Sequence, residues 1–322
     1  MKKNIFKKIY VLQKKIRLVE EKIANNYKDY QMRCPTHLSI GQEAIAAASG
    51  LALNKNDISI SYHRSHAHYL AKGGSAKKLF AELHGFKEGC SKGIGGSMHL
   101  TDLKNNFYGS TAIVSNSIPV GVGLAYSLKI NKKKNLVCIY VGDASPEEGV
   151  FYESINFCVV KKLPVVFVCE NNFYSVYTHL NDRQPKNRKL YKLAEALGAT
   201  SHKFNQKNPY KLFLNFKKVF DKVRKNPYPN FIEIETYRYL EHCGPKDDTK
   251  LGYRTFKEVE KWKKKDPLIF AENYLIKKNI FKRKKLNSID KTIIKNINIE
   301  FNSLKNLKKP NFNSIKNLVY KK

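Results

Sequence analysis

At 322 residues, with 42% hydrophobic and 12% aromatic content, the chain can bury the core of one large α/β domain or two small ones and is too apolar to be disordered. No run of about 18 apolar residues occurs, so no membrane span is expected, and the six cysteines include no Cys-x-x-Cys pair, which argues against zinc. The net charge of +33 raises nucleic acid as a partner, but the lysines sit in short scattered clusters (Lys132–Lys134, Lys263–Lys265) without interleaved aromatic stacking platforms. A basic surface that meets an acidic partner subunit is the preferred reading.

The first 30 residues read as a helix. Ile5, Ile9, Leu12, Ile16, Val19 and Ile23 make one apolar seam, and the segment lacks the continuous apolar core and cleavage site of a signal peptide. A second helix is expected over Ile40–Leu53, capped by Ser39. Asp57–Tyr62 reads as a short strand, and Ser75–Leu83 as a helix capped by Ser75 and followed by Gly85. The glycine-rich stretch 89–109 has little periodicity and reads as a long functional loop. Leu136–Val141 and Val165–Cys169 are apolar on both faces, as buried parallel strands are, with a helix over about 147–160 between them. Phe231–Tyr237 alternates and reads as a strand nearer an edge. Helices are expected over Lys189–Leu197 and Pro209–Arg224, and beyond Lys277 a basic tail carries a weak helical pattern. The organisation expected is an N-terminal helix (1–30), a main domain (31–275) and a helical tail (276–322). The succession argues for an α/β fold with an open, mostly parallel sheet and helices on both faces. Cysteines inside the strand runs suggest free, buried thiols in a reducing compartment, hence a cytoplasmic protein.

In such sheets ligands bind at the carboxyl ends of the strands. There the sequence places Gly142-Asp143-Ala144-Ser145 after one buried strand and Glu170-Asn171-Asn172 after the next. Asn172 follows Asp143 by 29 positions (172 minus 143), the length of one strand–helix–strand crossover, so both ends reach the same edge. A carboxylate and a carboxamide oxygen there can share Mg²⁺, which takes oxygens from one or two protein groups and from phosphates. Gly142 permits a sharp turn, and the following helix start offers N–H groups to an anion.

The stretch GDASPEEGVFYESINFCVVKKLPVVFVCENNFYSVYT resembles the alpha subunits of pyruvate, branched-chain and acetoin dehydrogenase complexes, which use thiamine diphosphate. THLSIGQEA (36–44), HRSHAHYLAKGG (63–74), CSKGIGGSMHL (90–100), FYGSTAIVSNSIPVGVGLA (107–125) and ETYRYLEH (235–242) are similar to that family in the same order, so the resemblance covers about residues 30–275. It implies a thiamine diphosphate-binding fold in which Asp143, the Asn172 side chain and the Tyr174 carbonyl hold Mg²⁺. His63 and Arg64 correspond to a Tyr-Arg or His-Arg pair on the diphosphate, where the planar fork of Arg64 suits phosphate oxygens. Gly142 and the backbone N–H groups of Ala144 and Ser145 face the phosphates, Ala112 and Val114 border the ring end, and His242 and His66 are the candidate catalytic histidines, His242 also binding the cofactor on a loop ordered around it. The chemistry is the cofactor's, and the glutamate it requires comes from a beta subunit. The resemblance therefore implies an α₂β₂ assembly, a 2-oxo acid substrate and a lipoyl acyltransferase as acyl acceptor. An acetoin-cleaving or other acyl-transfer enzyme is the near alternative, and a non-catalytic basic nucleic-acid-binding protein the remote one.

The sequence departs from the family pattern at two places. Ala144 stands where glycine is usual, which a negative φ allows. After His242 the sequence reads Cys243-Gly244-Pro245-Lys246, without the serines of phosphorylation-regulated members. Glu147 and Glu148 read as helix-dipole partners.

Overall fold

The computed structural model describes residues 2–28, 31, 32, 34–308 and 316. The N-terminal seam folds as helix α1 (Lys2–Tyr27), with Ile9, Ile16, Val19 and Ile23 fully buried. Helix α2 (Glu43–Ala52) starts later than expected, because residues 39–42 form a turn in which Gln42 N–H donates to the Ser39 carbonyl. Gly41 makes that turn at φ 99°, and a Cβ there would stand 2.4 Å from the Tyr237 carbonyl. Ser39 is thus not the helix cap. Its backbone N–H donates to Glu20, and its hydroxyl has no partner among the described residues.

Strand β1 (Ile58–Ser61) leads to α3 (His66–Ala71) and α4 (Ala76–Leu83). Ser75 caps α4 as expected, accepting from Lys78 N–H. The glycine-rich stretch is a loop over most of its length but ends in a strand, β2 (Phe107–Ser110), that pairs with β1. Next come α5 (Ser117–Ile130), β3 (Val137–Gly142), α6 (Gly149–Val160) and β4 (Val165–Asn171). A two-stranded hairpin follows, β5 (Tyr174–Ser175) with β6 (Thr178–His179), and then α7 (Leu180–Arg183) and α8 (Leu190–Ala196). Strand β7 (Thr200–Asn205), α9 (Pro209–Lys225) and β8 (Asn230–Glu235) complete the sheet. The chain goes on through α10 (Phe256–Lys263), α11 (Pro267–Lys277) and α12 (Arg283–Asn302).

The six long strands form one parallel sheet in the order β2-β1-β3-β4-β8-β7. Successive side chains of a strand point to opposite faces, and both faces are covered. Cys138, Tyr140, Val166, Val168, Ile232 and Ile234 pack with α2, α9, α11 and the start of α1. Val137, Ile139, Val141, Val165 and Phe167 pack with α5, α6 and α8. All seven residues of β4 are buried; each large apolar side chain so placed contributes about 1.5–3 kcal/mol. A third apolar cluster joins the second half of α1 to α3, α4, α10 and α12.

Strand β8 corrects the expectation of an edge. It lies between β4 and β7, and its first five residues are buried. The edge is β7, whose sequence TSHKFN is polar and half-exposed and so carries no apolar run. The basic tail forms α12, which packs on α1 and α4; its end beyond 308, apart from Lys316, lies outside the described residues. Among the cysteines, all free, Cys138, Cys158 and Cys169 are buried, whereas Cys34 and Cys90 are half-buried and Cys243 is exposed, so burial does not hold for all six. No helix is long and apolar enough to cross a membrane among the described residues.

Candidate active site

The β3–α6–β4 crossover sets Gly142 opposite Glu170 in the parallel register, so Asp143 and Asn172 leave adjacent strand tips, about 4.8 Å apart in the hydrogen-bonding direction. They open into a narrow cleft. It is lined from the β3 tip and the Val114 loop by Gly142, Asp143, Ala144, Ser145 and Val114, from the β4 tip by Asn172, Tyr174 and Ser175, and from the segments after β1 and β8 by Tyr62, His63, Arg64 and His242. Of the residues singled out from the sequence, only His66 and Ala112 do not line it. Ala112 lies two residues before Val114 on the same loop. His66 is fully buried, between Glu20 Oε1 (3.0 Å from Nδ1) and Ser97 Oγ (2.9 Å from Nε2). It ties α1 to the glycine-rich loop and has no access to the cleft.

Ala144 takes φ −83°, so its methyl group is unstrained where glycine is usual. Ser115 stands across from it at φ 63°, its hydroxyl donating to the Ser145 carbonyl at 3.0 Å. Phe173 (φ 70°) and Val176 (φ 53°) also hold left-handed backbone, which costs of order 1–3 kcal/mol per residue and persists where the surroundings enforce it. Leu180 N–H holds the Phe173 carbonyl at 2.7 Å, and the Asn171 side chain accepts from Phe173 N–H at 3.1 Å.

Burial pushes the Asp143 carboxyl above its ordinary value, against the opposite pull of Arg183. Arg183, from α7, bridges Asp143 and Glu147. Glu147 also accepts from Gln184 Nε2 at 2.8 Å and so holds the α7 segment; Glu148 is the N-cap residue of α6 but makes no side-chain cap bond. Asn172 is oriented at both ends of its amide. Its Oδ1 accepts from Tyr174 N–H at 3.1 Å, and its Nδ2 donates to Gln42 Oε1 at 3.4 Å.

Arg64 is fully buried. It donates to the carbonyls of Leu38 (2.7 Å) and His242 (3.1 Å), while its Nε has no partner among the described residues. The cleft thus combines a carboxylate, an amide oxygen and a tyrosine carbonyl, a donor set suited to a hard cation, with a buried guanidinium donor that lacks an acceptor. A Mg²⁺–diphosphate group satisfies both, so the residues present fit it.

His63 and His242 meet a third imidazole, His37, and the three ring nitrogens lie within 4.8 Å of one another. Burial, then the Arg64 charge, depresses all three: His37 and His242 to about 2, and His63 well below its ordinary value. At neutral pH they are uncharged. The His242 segment is fixed from behind by Arg238, which donates to Leu240 O (2.8 Å), Val176 O (2.8 Å) and Asp248 Oδ2 (3.1 Å), and by Arg254, which donates to Leu240 O at 2.9 Å.

Sequence reasoning overlooked the layer beneath the strand tips. Glu170 accepts from the Tyr62 hydroxyl (2.5 Å) and Gln42 Nε2 (3.5 Å) and meets His68 Nε2 (3.3 Å); Ser61 Oγ lies 2.9 Å from His68 Nδ1. The same Gln42 reaches Asn172. Gln42 and His68 lie inside the family-like segments THLSIGQEA and HRSHAHYLAKGG, so a signal existed. Arg183 lies in a polar stretch with none.

Fold and cleft together define an α/β enzyme whose candidate site, a cleft with oxygen donors suited to a hard cation, lies at the carboxyl end of a parallel sheet. The family model of the dehydrogenase E1 component matches residues 13–313. The pyruvate dehydrogenase E1 component subunit alpha of Rickettsia felis is 36% identical over 278 residues, covering 86% of this chain and 84% of its own length. The mitochondrial somatic form of the human pyruvate dehydrogenase E1 component subunit alpha is 31% identical over 291 residues, covering 90% and 73%. This chain belongs to the dehydrogenase E1 component family, as an alpha-type subunit of a thiamine diphosphate-dependent 2-oxo acid dehydrogenase.

Proposed function

We propose that this chain grips the Mg²⁺–diphosphate end of thiamine diphosphate within a cytoplasmic α₂β₂ assembly that decarboxylates a 2-oxo acid oxidatively and passes the acyl group to a lipoyl acyltransferase. The observation that carries this reading is the juxtaposition of Asp143 and Asn172 in one cleft with Arg64. The relatives named as pyruvate dehydrogenase subunits make pyruvate the first 2-oxo acid to test.

The cofactor, once bound, supplies the carbanion that adds to the 2-oxo carbonyl and the electron sink that makes loss of CO₂ possible. The residues of this chain bind and orient. Asp143, the Asn172 side chain and the Tyr174 carbonyl hold the cation. Arg64, with one free N–H, receives a phosphate oxygen, and His63 stands beside it. The backbone of Ala144 and Ser145 faces the phosphates, and Val114 and Ala112 lie toward the ring end. His242, uncharged and facing the cleft, is placed to hold or move a proton at a ring nitrogen. His66 acts from behind, as a positioning residue between Glu20 and Ser97.

The test is calorimetry on the chain purified with its beta subunit. Asp143→Asn is expected to weaken Mg²⁺-dependent thiamine diphosphate binding at least 100-fold with the far-UV spectrum unchanged. Undiminished affinity would refute the metal assignment. Turnover of acetoin but of no 2-oxo acid, with an artificial electron acceptor, would replace the substrate class. Binding to DNA that is salt-sensitive and independent of Mg²⁺ would point away from the enzyme altogether.

A further inference from the structure

We propose that His37, His63 and His242 form a second divalent-cation site, for a transition ion such as Zn²⁺ or Co²⁺, distinct from the Asp143–Asn172 site and able to pin the His242 segment across the end of the cleft.

The three rings are arranged as ligands of one ion are. Their centroids lie 4.8 Å (His37–His63), 4.9 Å (His37–His242) and 5.4 Å (His63–His242) apart, with the planes inclined by 62°, 84° and 59°. An ion about 2.1 Å from one nitrogen of each ring, at tetrahedral angles, would hold the centroids about 5.2 Å apart. The nitrogens themselves lie within 4.8 Å of one another, so small ring rotations must draw them to the separation of about 3.4 Å that such an ion imposes.

A second observation comes from His37 alone. It is 6% exposed, and its Nδ1 has no hydrogen-bond partner among the described residues. A buried imidazole nitrogen left without a partner costs free energy that a ligand recovers. The rings are uncharged at neutral pH, the form a metal requires. Neutral imidazoles with no carboxylate among them suit borderline ions such as Zn²⁺, Co²⁺ or Ni²⁺ and not Mg²⁺, which selects oxygen. Arg64 donates to the carbonyls of Leu38 and His242, and its Nη2 also lies 3.4 Å from His242 Nδ1, so Nε2 is the His242 nitrogen left for an ion.

The three ligands come from separate segments. His37 follows α1, His63 follows β1, and His242 lies on the loop after β8. An ion joining them would fix that loop where His63 and His242 meet the cleft.

The experiment is titration of the untagged chain, co-purified with its beta subunit and stripped of metal, with Co²⁺ alone. The expected result is one equivalent bound with the intense visible absorption of a four-coordinate nitrogen site, displaced by Zn²⁺ and not by Mg²⁺. His37→Gln and His63→Tyr should each lower the Co²⁺ affinity at least ten-fold with unchanged thermal unfolding in the absence of metal. A pale six-coordinate spectrum overturns the proposal. So does unchanged affinity in both variants, or a signal lost in Asp143→Asn and kept in His37→Gln, which would put the ion at the carboxylate. Mg²⁺-dependent cofactor binding is measured separately, so the two metal assignments fail independently.

Discussion

Replacing Glu82 by glutamine tests how the long glycine-rich loop is held. Glu82 is 1% exposed on α4, and its carboxylate accepts four backbone N–H groups of that loop: Ser91 (2.7 Å) and Gly93 (2.9 Å) on Oε2, Gly95 (2.7 Å) and Gly96 (3.2 Å) on Oε1. The loop is wound around one anion, and a Cβ at Gly89 would strike the same carboxylate at 2.3 Å. In Glu82→Gln one oxygen becomes an NH₂ group, so two N–H donors face a donor. Each buried donor left unsatisfied costs about 1–3 kcal/mol, so the variant should lose about 4 kcal/mol locally. That corresponds to roughly 10³-fold faster opening of the loop. The loop carries Ser97, whose hydroxyl meets His66 and accepts from His37 N–H at 3.2 Å, so loosening it reaches the edge of the cleft. Amide hydrogen exchange followed by mass spectrometry reads this directly. Peptides over 91–98 should exchange about a thousand-fold faster, while those over 137–142 and 165–171 keep their protection. Equal exchange of the loop in the variant and the parent would refute the carboxylate as its organiser.

Three further outcomes are expected. Gly41→Ala puts a Cβ 2.4 Å from the Tyr237 carbonyl at a left-handed φ, so the variant should lose at least ~2 kcal/mol in urea unfolding; a loss under ~0.5 kcal/mol would show that the turn relaxes freely. Stability should fall as pH drops below about 6.5, because His37 and His242 are held neutral to about 2 in the fold and take up protons once unfolded. The slope is at most ~1.4 kcal/mol per pH unit per imidazole, and His37→Gln should flatten urea midpoints measured between pH 7.5 and 5.5; an identical pH profile would count against a buried neutral His37. Asp57 is fully buried, pairs with Arg224 of α9 and accepts from the N–H groups of Leu136 (3.1 Å) and Asn54 (2.7 Å). Arg224 keeps Asp221 as a partner at 2.8 Å, so Asp57→Ala should cost ~2–4 kcal/mol, mainly by leaving the Leu136 and Asn54 N–H groups unsatisfied; a melting temperature within a degree or two of the parent would count against that network.

The sheet centre was legible because β3 and β4 are apolar on both faces, a pattern only burial under two helical layers explains. The same logic failed at the rim. Strand β7 is polar because one side of an edge strand meets water, and α5 (SIPVGVGLAYSLKI) hides its helix behind a proline and two glycines. At Gly121 a Cβ would stand 2.5 Å from the Ile139 side chain, so close packing on the sheet explains that glycine. That Asp143 and Asn172 share one cleft was legible through the length of one crossover. His66 was misplaced because position in a motif does not tell a residue that faces the ligand from one that braces the wall.

What decides the geometry of the strand tips lies one layer deeper. Two oxygens on a shared cation must be held to a few tenths of an ångström, and strand tips alone are not that stiff. Here Asn172 is clamped through Gln42 to Glu170, and Glu170 through Tyr62 and His68 to β1 and Tyr140, whose ring stacks on His68 at 3.7 Å. A buried carboxylate with several polar partners is costly to assemble and stiff once complete. Asp143 sits on the neighbouring strand, braced on the outside by Arg183 and Glu147. The two halves of the candidate metal site therefore have different rigidity. The amide side rests on a buried network, and the carboxylate side on an ion-pair chain whose outer member, Glu147, is partly exposed.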